Sequence, residues 1–448
     1  MAPMCTLARC HTERRMNNLQ APRGSKSFSL NILPVSSLTS RFWRDFLGKV
    51  MIPIDPGGGG IPGAQRAQDS AAPTPPKDNR WRAEPSLREV MALWLATCLV
   101  FVTGVAVLRN YFELVDNSGD SSAYMAVASA IRHWNFHGLV VKHFWGLPYA
   151  MAALSLLTGV SDRTALLLIC FASSLAGVAL AHRLWGGWIA GYFAILSFEW
   201  MQRSYLGGSE PLFAALVFGS FLAIRTNRWL LAALLAALAT ITRPLAVFLL
   251  LGIGLTLLWR RDWRRLAGTT AIGLVIGTLY VIPLIRYFHD PLATVHSYEG
   301  ATASAAVPLF GIPFYAIIKG TILYPAPLTN LVLSFGWIFL VLIGIVAMLA
   351  TEKFRNYARE HVPEMVFVAP YLLSLYCYNY PYWARGSFPR FAIPILPFVF
   401  LALERWLPKD RRLLWTLTPV TSVLAASSAL GIANIPSLMR QAVRKHGT

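Results

Sequence analysis

The chain contains 448 residues, of which 55% are hydrophobic and only 14% are charged. Soluble domains typically have about 45–50% apolar and about 25% charged residues, so this composition excludes an ordinary soluble globular protein. It also excludes a chain that is disordered throughout, because disorder requires low hydrophobicity. The formal net charge is +19, but most Lys and Arg residues stand in short clusters between apolar runs. That pattern is typical of the cytoplasmic loops of a multi-pass membrane protein and does not indicate nucleic-acid binding.

The chain divides into three parts by composition. Residues 1–90 contain the run Gly57–Gly60, a Pro-rich stretch and no sustained periodicity, which predicts a disordered basic N-terminal tail. Residues 91–435 form the predicted transmembrane domain, and residues 436–448 a short C-terminal tail. The Arg-rich start also fits a transit peptide, or an over-extended start with Met51 as the initiator.

From residue 91 onward, apolar runs approach the roughly 20 residues that a helix needs to cross a bilayer. They predict an all-α fold, a polytopic transmembrane helical bundle of about 11 spans with interfacial helices in the first external loop. The predicted spans are residues 91–109, 164–184, 187–202, 209–225, 228–242, 244–259, 266–287, 331–350, 364–380, 390–407 and 412–433.

One further apolar run, residues 144–158, decides the topology. If it crosses the membrane, Arg225 and the basic cluster at 260–265 fall outside the cell, against the positive-inside bias. If it does not cross, both become cytoplasmic. We therefore predict a non-crossing segment, with two long loops, residues 110–163 and 288–330, on the non-cytoplasmic side.

The first of these loops carries two acids. Residues 121–137 have the pattern of an amphipathic interfacial helix, and Asp120 is well placed as its N-cap. Asp116 and Asp120 both lie at the external mouth of the first span, where a carboxylate can meet a lipid head group. A role for Asp120 limited to capping is the alternative.

Other charged residues occur near the same membrane face. Glu210 opens a span, either as a functional group or as an acid stabilised by the helix dipole. Arg243 and Arg390 lie on the outer side, where arginine is unexpected, so each predicts an anionic partner. A guanidinium suits a phosphate, and a structural pair with Glu210 or Asp116 is the alternative.

Five motifs follow one another between residues 91 and 410. In this order they resemble the GT-C superfamily of integral membrane glycosyltransferases, which take sugar from a polyprenyl (dolichyl or undecaprenyl) phosphate. The third is similar to that of the mannosyltransferase branch. The motifs are Asp120 to Tyr124, His143-Phe144-Trp145-Gly146-Leu147-Pro148-Tyr149, Ser209-Glu210-Pro211-Leu212-Phe213, Thr242-Arg243-Pro244, and Pro389-Arg390-Phe391 through Pro397.

The resemblance implies an inverting transfer of a mannose-like hexose to an acceptor hydroxyl, with Asp120 as the general base and Asp116 as the second choice. The implied substrate-binding residues are Tyr124, His143, Glu210, Arg243, Arg390 and Lys142. Two departures from the family pattern stand out. The loop acids are four residues apart where many members have adjacent acids, and Phe391 replaces the more usual Tyr.

The resemblance also sets expectations for partners and location. The donor is a lipid-phosphate sugar acting as co-substrate, so no cofactor is expected and no divalent metal is required. The acceptor is a glycan, a lipid or a protein, and the resemblance does not decide among them. We expect membrane lipids to surround the chain and no nucleic acid to be a partner. We expect a multi-pass protein of the plasma (inner) membrane in preference to the endoplasmic reticulum. A transporter or flippase of lipid-linked or polar substrates is the alternative function.

Overall fold

The fold is built from helices. Apart from an isolated bridge between Phe310 and Tyr378, every regular element in the described residues is helical, and the predicted all-α class is confirmed there. Residues 1–80 of the predicted tail lie outside the described part of the chain. The computed structural model describes residues 81–137, 139, 143–301, 309–323 and 328–446.

Most of the helices are short, and a few are long. The first begins at Leu87, ahead of the predicted boundary at residue 91, and the last continues to His446. In chain order they are Leu87–Leu108 (α1), Tyr111–Asn117 (α2), Gly119–His133 (α3), Gly146–Thr158 (α4), Asp162–Trp185 (α5), Gly187–Leu196 (α6), Phe198–Leu206 (α7), Glu210–Arg225 (α8), Trp229–Thr242 (α9), Val247–Trp259 (α10), Trp263–Phe288 (α11), Ala293–Ala301 (α12), Tyr315–Leu323 (α13), Leu328–Ala350 (α14), Glu352–Glu360 (α15), Val362–Cys377 (α16), Pro381–Gly386 (α17), Phe388–Phe391 (α18), Leu396–Ala402 (α19) and Arg411–His446 (α20).

Five helices of the described residues are long and apolar enough to cross a membrane: α1, α5, α11, and the parts Leu331–Ala350 of α14 and Arg411–Gly431 of α20. A sixth is possible if α7 and α8, which meet at an angle of 108°, form one broken span. These helices support a multi-pass membrane protein. Every predicted apolar run coincides with one or more helices, but the count of 11 crossings is not confirmed by helix length.

Two predicted spans are divided in the structure. The run 187–202 is wrong as one helix, because α6 ends at Leu196 and Ser197 starts a new helix by accepting a hydrogen bond from the amide of Trp200 at 3.2 Å. The run 390–407 is also divided, into α18, a short 3-10 turn and α19. The second division has a direct cause, because prolines at 389, 394 and 397 remove backbone donors and cannot continue a regular helix.

Helix α8 lies between α5 and α9 in the apolar core. Its contact with α9 is close because that helix presents small residues, among them Ala232, Ala233 and Ala236, which are all fully buried. Ser220 on α8 donates a hydrogen bond to the carbonyl of Ala232 at 2.9 Å. Small residues and buried hydroxyl bonds of this kind are what hold helices together in a membrane, where lipid removes the hydrophobic drive. The ends of α8 are thereby held in fixed positions.

Candidate functional site

A sharp break in the chain positions Glu210. Helix α7 ends at Leu206, and the backbone turns at Gly207, whose φ of +103° is a conformation that side chains disfavour. A Cβ atom there would also lie 2.8 Å from the hydroxyl of Ser121. Glu210 is then the first residue of α8, with its side chain 1% exposed. The positive end of the helix dipole favours a carboxylate at that position.

Helix α3 docks against this break. The hydroxyl of Ser121 donates to the carbonyl of Leu206 at 3.0 Å, and the buried Tyr124 hydroxyl donates to that of Ser209 at 3.0 Å. Asp120, in the first turn of α3, is carried to the same place. The expectation that Asp120 is the N-cap is wrong, because Ser118 holds that position and no side-chain cap bond forms. The Asp120 carboxylate instead forms ion pairs with Arg390 and Arg203.

Two predicted arginines contact the acids from different elements. Arg243 follows α9 in an extended conformation, forms an ion pair with Glu210 and donates to the Ser209 hydroxyl at 3.2 Å. Arg390, on the short helix α18, touches both acids: its Nε atom contacts Glu210 and its Nη1 atom contacts Asp120. Both arginines therefore form the ion pair with Glu210 that was predicted as the alternative to phosphate binding.

A third arginine was not among the predicted site residues. Arg203 lies on α7, where its Nε atom is 3.2 Å from Glu199 and its Nη1 atom is 3.7 Å from Asp120. The available signal was the spacing of four between Glu199 and Arg203, directly before the two glycines of the break. We call the six charged residues the ion-pair cluster; its members are Asp120, Glu199, Arg203, Glu210, Arg243 and Arg390.

Exposure in the ion-pair cluster increases from Glu210 to Asp120. Side-chain exposure is 1% for Glu210, 13% for Arg390 and 23% for Asp120. One carboxylate oxygen of Glu210, Oε2, is buried without a hydrogen-bond partner among the described residues. The Oδ2 atom of Asp120, which faces Arg390 and Arg203, is also buried, so Asp120 is the more exposed acid through the rest of its side chain.

The pKa values of two loop residues are displaced by this setting. Burial raises the pKa of Asp120, but the guanidinium groups of Arg390 and Arg203 outweigh it and hold the pKa well below its usual range. His143 has its Nε2 atom 3.8 Å from Asp120, and its ring packs on Tyr124 with centroids 4.8 Å apart. Burial lowers the pKa of His143, which Asp120 opposes only in part. The resting site therefore has an ionised Asp120 beside a neutral imidazole at neutral pH.

Asp116 lies elsewhere. Its side chain, 37% exposed, forms an ion pair with Arg163 at the start of α5. Lys142 lies outside the described residues. Six predicted site residues meet at the break, directly or through Ser209: Asp120, Tyr124, His143, Glu210, Arg243 and Arg390.

The arrangement has the elements needed to handle an anion and a proton. Three guanidinium groups contact the carboxylates of Asp120 and Glu210, and Asp120 is the more exposed of these two acids. Within the described residues, no group of three or more His, Cys, Asp or Glu side chains is arranged to hold a metal ion. Comparisons of the chain with family models, with curated proteins and with solved structures each found no match.

Proposed function

We propose that this chain is a membrane glycosyltransferase of the GT-C type. It transfers a hexose, mannose-like, from a polyprenyl-phosphate carrier to an acceptor hydroxyl on the non-cytoplasmic face of the membrane. The observation that supports this proposal is the convergence of Asp120 with Arg203, Arg243 and Arg390 at the broken end of α8. A carboxylate in front of several arginines suits a reaction that removes a proton and releases a phosphate.

In this proposal Asp120 accepts the proton of the acceptor hydroxyl. The oxygen then attacks the anomeric carbon of the sugar, and the bond from that carbon to the lipid phosphate breaks. A positioned base contributes about 10²–10⁴-fold to such a step. Asp120 is preferred to Asp116 because Asp116 lies outside the ion-pair cluster, on Arg163. The leaving phosphate gains negative charge, which Arg243 and Arg390 stabilise through preorganised donors.

The proposed topology has about 11 spans, in which the segment 144–158 does not cross. This placement of 144–158 rests on the positive-inside bias, because a crossing there would put Arg225 and the basic cluster at 260–265 outside. We propose the plasma membrane as the location, in preference to the endoplasmic reticulum. The basic joins between spans then lie in the cytoplasm and the ion-pair cluster lies outside.

The decisive experiment offers the purified chain a panel of radiolabelled polyprenyl-phosphate sugars with mixed acceptors. We expect transfer by the wild type and a loss of about 10²–10⁴-fold for Asp120→Asn. Asp162→Asn is the matched control, because Asp162 is also an acid paired with an arginine, Arg132, at 2.8 Å. It should stay within a few-fold of the wild type. Wild-type transfer from no donor contradicts the proposed function, and a folded Asp120→Asn variant at full rate removes Asp120 as the base.

A further inference from the structure

The arginines that would hold a donor phosphate already hold carboxylates. Arg243 is paired with Glu210, and Arg390 with both Glu210 and Asp120. Arg203 lies between Asp120 and Glu199. The ion-pair cluster therefore contains three arginines and three acids and is formally neutral. A phosphate that enters it brings negative charge for which no guanidinium is spare, and an unbalanced buried charge is costly.

One carboxylate must therefore release an arginine when a phosphate binds. Glu210 is the poorer choice, because it is 1% exposed and lies at the N-terminus of α8. Asp120 is the better choice, since it is 23% exposed and already has Arg203 nearby at 3.7 Å. Moving Asp120 a short way toward Arg203 keeps it paired and frees the Nη1 atom of Arg390.

We propose that the donor phosphate binds by displacing Asp120 from Arg390, and that Arg203 acts as a positioning residue that retains the displaced carboxylate. This inference rests on the proposed function. In the resting protein Asp120 is a weak base, because two guanidinium groups stabilise its ionised form. Once the phosphate takes Arg390, Asp120 becomes more basic beside the bound donor. The base is therefore activated only when the sugar donor is present.

A binding experiment separates this exchange from the proposed function. Farnesyl phosphate, a short polyprenyl phosphate, is titrated into the purified full chain in detergent and binding is followed by calorimetry. Asp120→Asn removes the internal competitor for Arg390, so it should bind the probe about tenfold more tightly than the wild type. Asp162→Asn, the matched acid paired with Arg132, should bind within about twofold of the wild type.

The outcomes point in different directions. Equal or weaker binding by Asp120→Asn overturns the exchange and leaves the proposed function intact. If neither the wild type nor Asp120→Asn binds farnesyl phosphate, both the exchange and the proposed function are overturned. Inorganic phosphate serves as a second probe: tightening seen with it as well assigns the exchange to the phosphate group, and tightening seen only with farnesyl phosphate assigns it to a lipid-borne phosphate. Both results support the exchange.

The wild type gives a readout that does not depend on the folding of a variant. Infrared difference spectra of protein labelled with ¹³C at the aspartate carboxyl should show a shifted carboxylate band when farnesyl phosphate is added. The band should persist in Asp162→Asn. A spectrum without an aspartate change, recorded with the probe bound, overturns the exchange.

The role of Arg203 has its own test. Asp120 is faced by Arg390, Arg203 and His143; Glu210 shares Arg390 with it, and its charge also acts on Tyr124. With Arg390 on the phosphate, Arg203→Gln leaves the displaced Asp120 without a guanidinium. The acid limb of kcat, which reports groups in the donor complex, should then move to higher pH, and Arg203→Lys should restore part of the shift. A lower kcat with an unmoved limb overturns the positioning role.

Discussion

Arg225 and Glu364 form a two-point ion pair at the end of α8 opposite to Glu210. The Nε and Nη2 atoms of Arg225 lie 2.8 Å and 3.0 Å from the two carboxylate oxygens of Glu364. Arg225 also donates to the carbonyl of Leu184 at 2.8 Å and to the hydroxyl of Tyr357. This pair therefore joins α5, α8, α15 and α16. Helix α8 has an acid and an arginine fixed at each end, about 24 Å apart.

The first prediction concerns this pair. Glu364→Gln leaves Arg225 partly buried without its counter-charge, and we expect the free energy of unfolding to fall by about 1–3 kcal/mol. Thermal unfolding in detergent measures the change. Lys353→Gln is the control, because Lys353 is 68% exposed in its pair with Glu404 and exposed pairs contribute about 0–1 kcal/mol. Equal melting temperatures for the two variants would contradict a stabilising role for Glu364.

The second prediction concerns the arginine that bridges two acids. A lysine at position 390 has one ammonium group and cannot contact Asp120 and Glu210 from separate nitrogens as Arg390 does. We expect Arg390→Lys to lower sugar transfer by at least about tenfold, in line with the loss of one preorganised donor to the leaving phosphate. Steady-state rates with a labelled donor measure this effect.

Arg163→Lys is the control for that measurement. Arg163 is also paired with an aspartate, Asp116, but its side chain is 42% exposed and it lies outside the ion-pair cluster. Its replacement should change transfer by no more than about twofold, as expected for an exposed pair. A rate for Arg390→Lys equal to that of the control would show that bridging by Arg390 is not needed.

The sequence reveals the two most unusual arginines and misses the third. Arg243 and Arg390 are conspicuous because they lie at span ends on the side where arginine is rare. Arg203 is hidden because the run 187–202 has the pattern of one span, and only the structure divides it at Ser197 and turns it at Gly207. Periodicity indicates where helices occur, but it does not contain the angle at which two helices meet.

The same limit applies to the acids. Asp116 and Asp120 are equivalent by residue type and loop, and sequence reasoning chose Asp120 as the base with Asp116 as the second choice. They separate in three dimensions because Asp116 lies on α2 and meets Arg163, whereas Asp120 lies on α3 and meets Arg390. The partner arginines come from chain positions far from either acid. Pairings over such separations depend on tertiary packing, which a single sequence does not specify.

The third prediction is a pH profile. The arginines hold the pKa of Asp120 well below its usual range, and burial lowers that of His143. Because kcat/KM reports groups of the free enzyme, it should show no acid limb near pH 6.5, the ordinary pKa of histidine, since both pKa values are lowered. By contrast, the acid limb of kcat should lie at higher pH, because the donor displaces Asp120 from Arg390.

The pH dependence of folding stability follows from the same lowered pKa of Asp120. A lowered folded-state pKa stabilises the fold above the unfolded value, about 3.9 for aspartate, and the contribution disappears as the pH falls through the folded value. The contribution of Asp120 to stability should therefore be complete at neutral and mildly acidic pH and be lost only in strong acid.

One kinetic result would contradict the predicted pH profile. A fall of kcat/KM between about pH 7 and pH 6 in the wild type, absent from a His143→Asn variant, would assign an acid limb of kcat/KM to the imidazole of His143.

The fourth prediction concerns the segment 144–158, now helix α4. Its first residue, Gly146, is packed so closely on α9 that an added Cβ would lie 2.8 Å from the Cα atom of Thr242, next to Arg243. Its far end leads into α5, where Asp162 is paired with Arg132 of α3 at 2.8 Å. The start of α4 therefore lies next to Arg243 and its far end is linked to the last turn of α3, the arrangement expected of a helix that does not cross the membrane.

Cysteine labelling in intact cells tests this arrangement. With the five native cysteines replaced, Ser161→Cys, in the exposed join after α4, should react with a membrane-impermeant maleimide added outside. Arg264→Cys is the control, since it lies in the basic cluster after α10 and should react only after permeabilisation. Protection of Ser161→Cys in intact cells, with reaction only from the cytoplasm, would contradict the proposed orientation. The ion-pair cluster and the basic joins would then have to exchange sides, because α5 and α8 both run from the cluster toward Arg225 and Glu364.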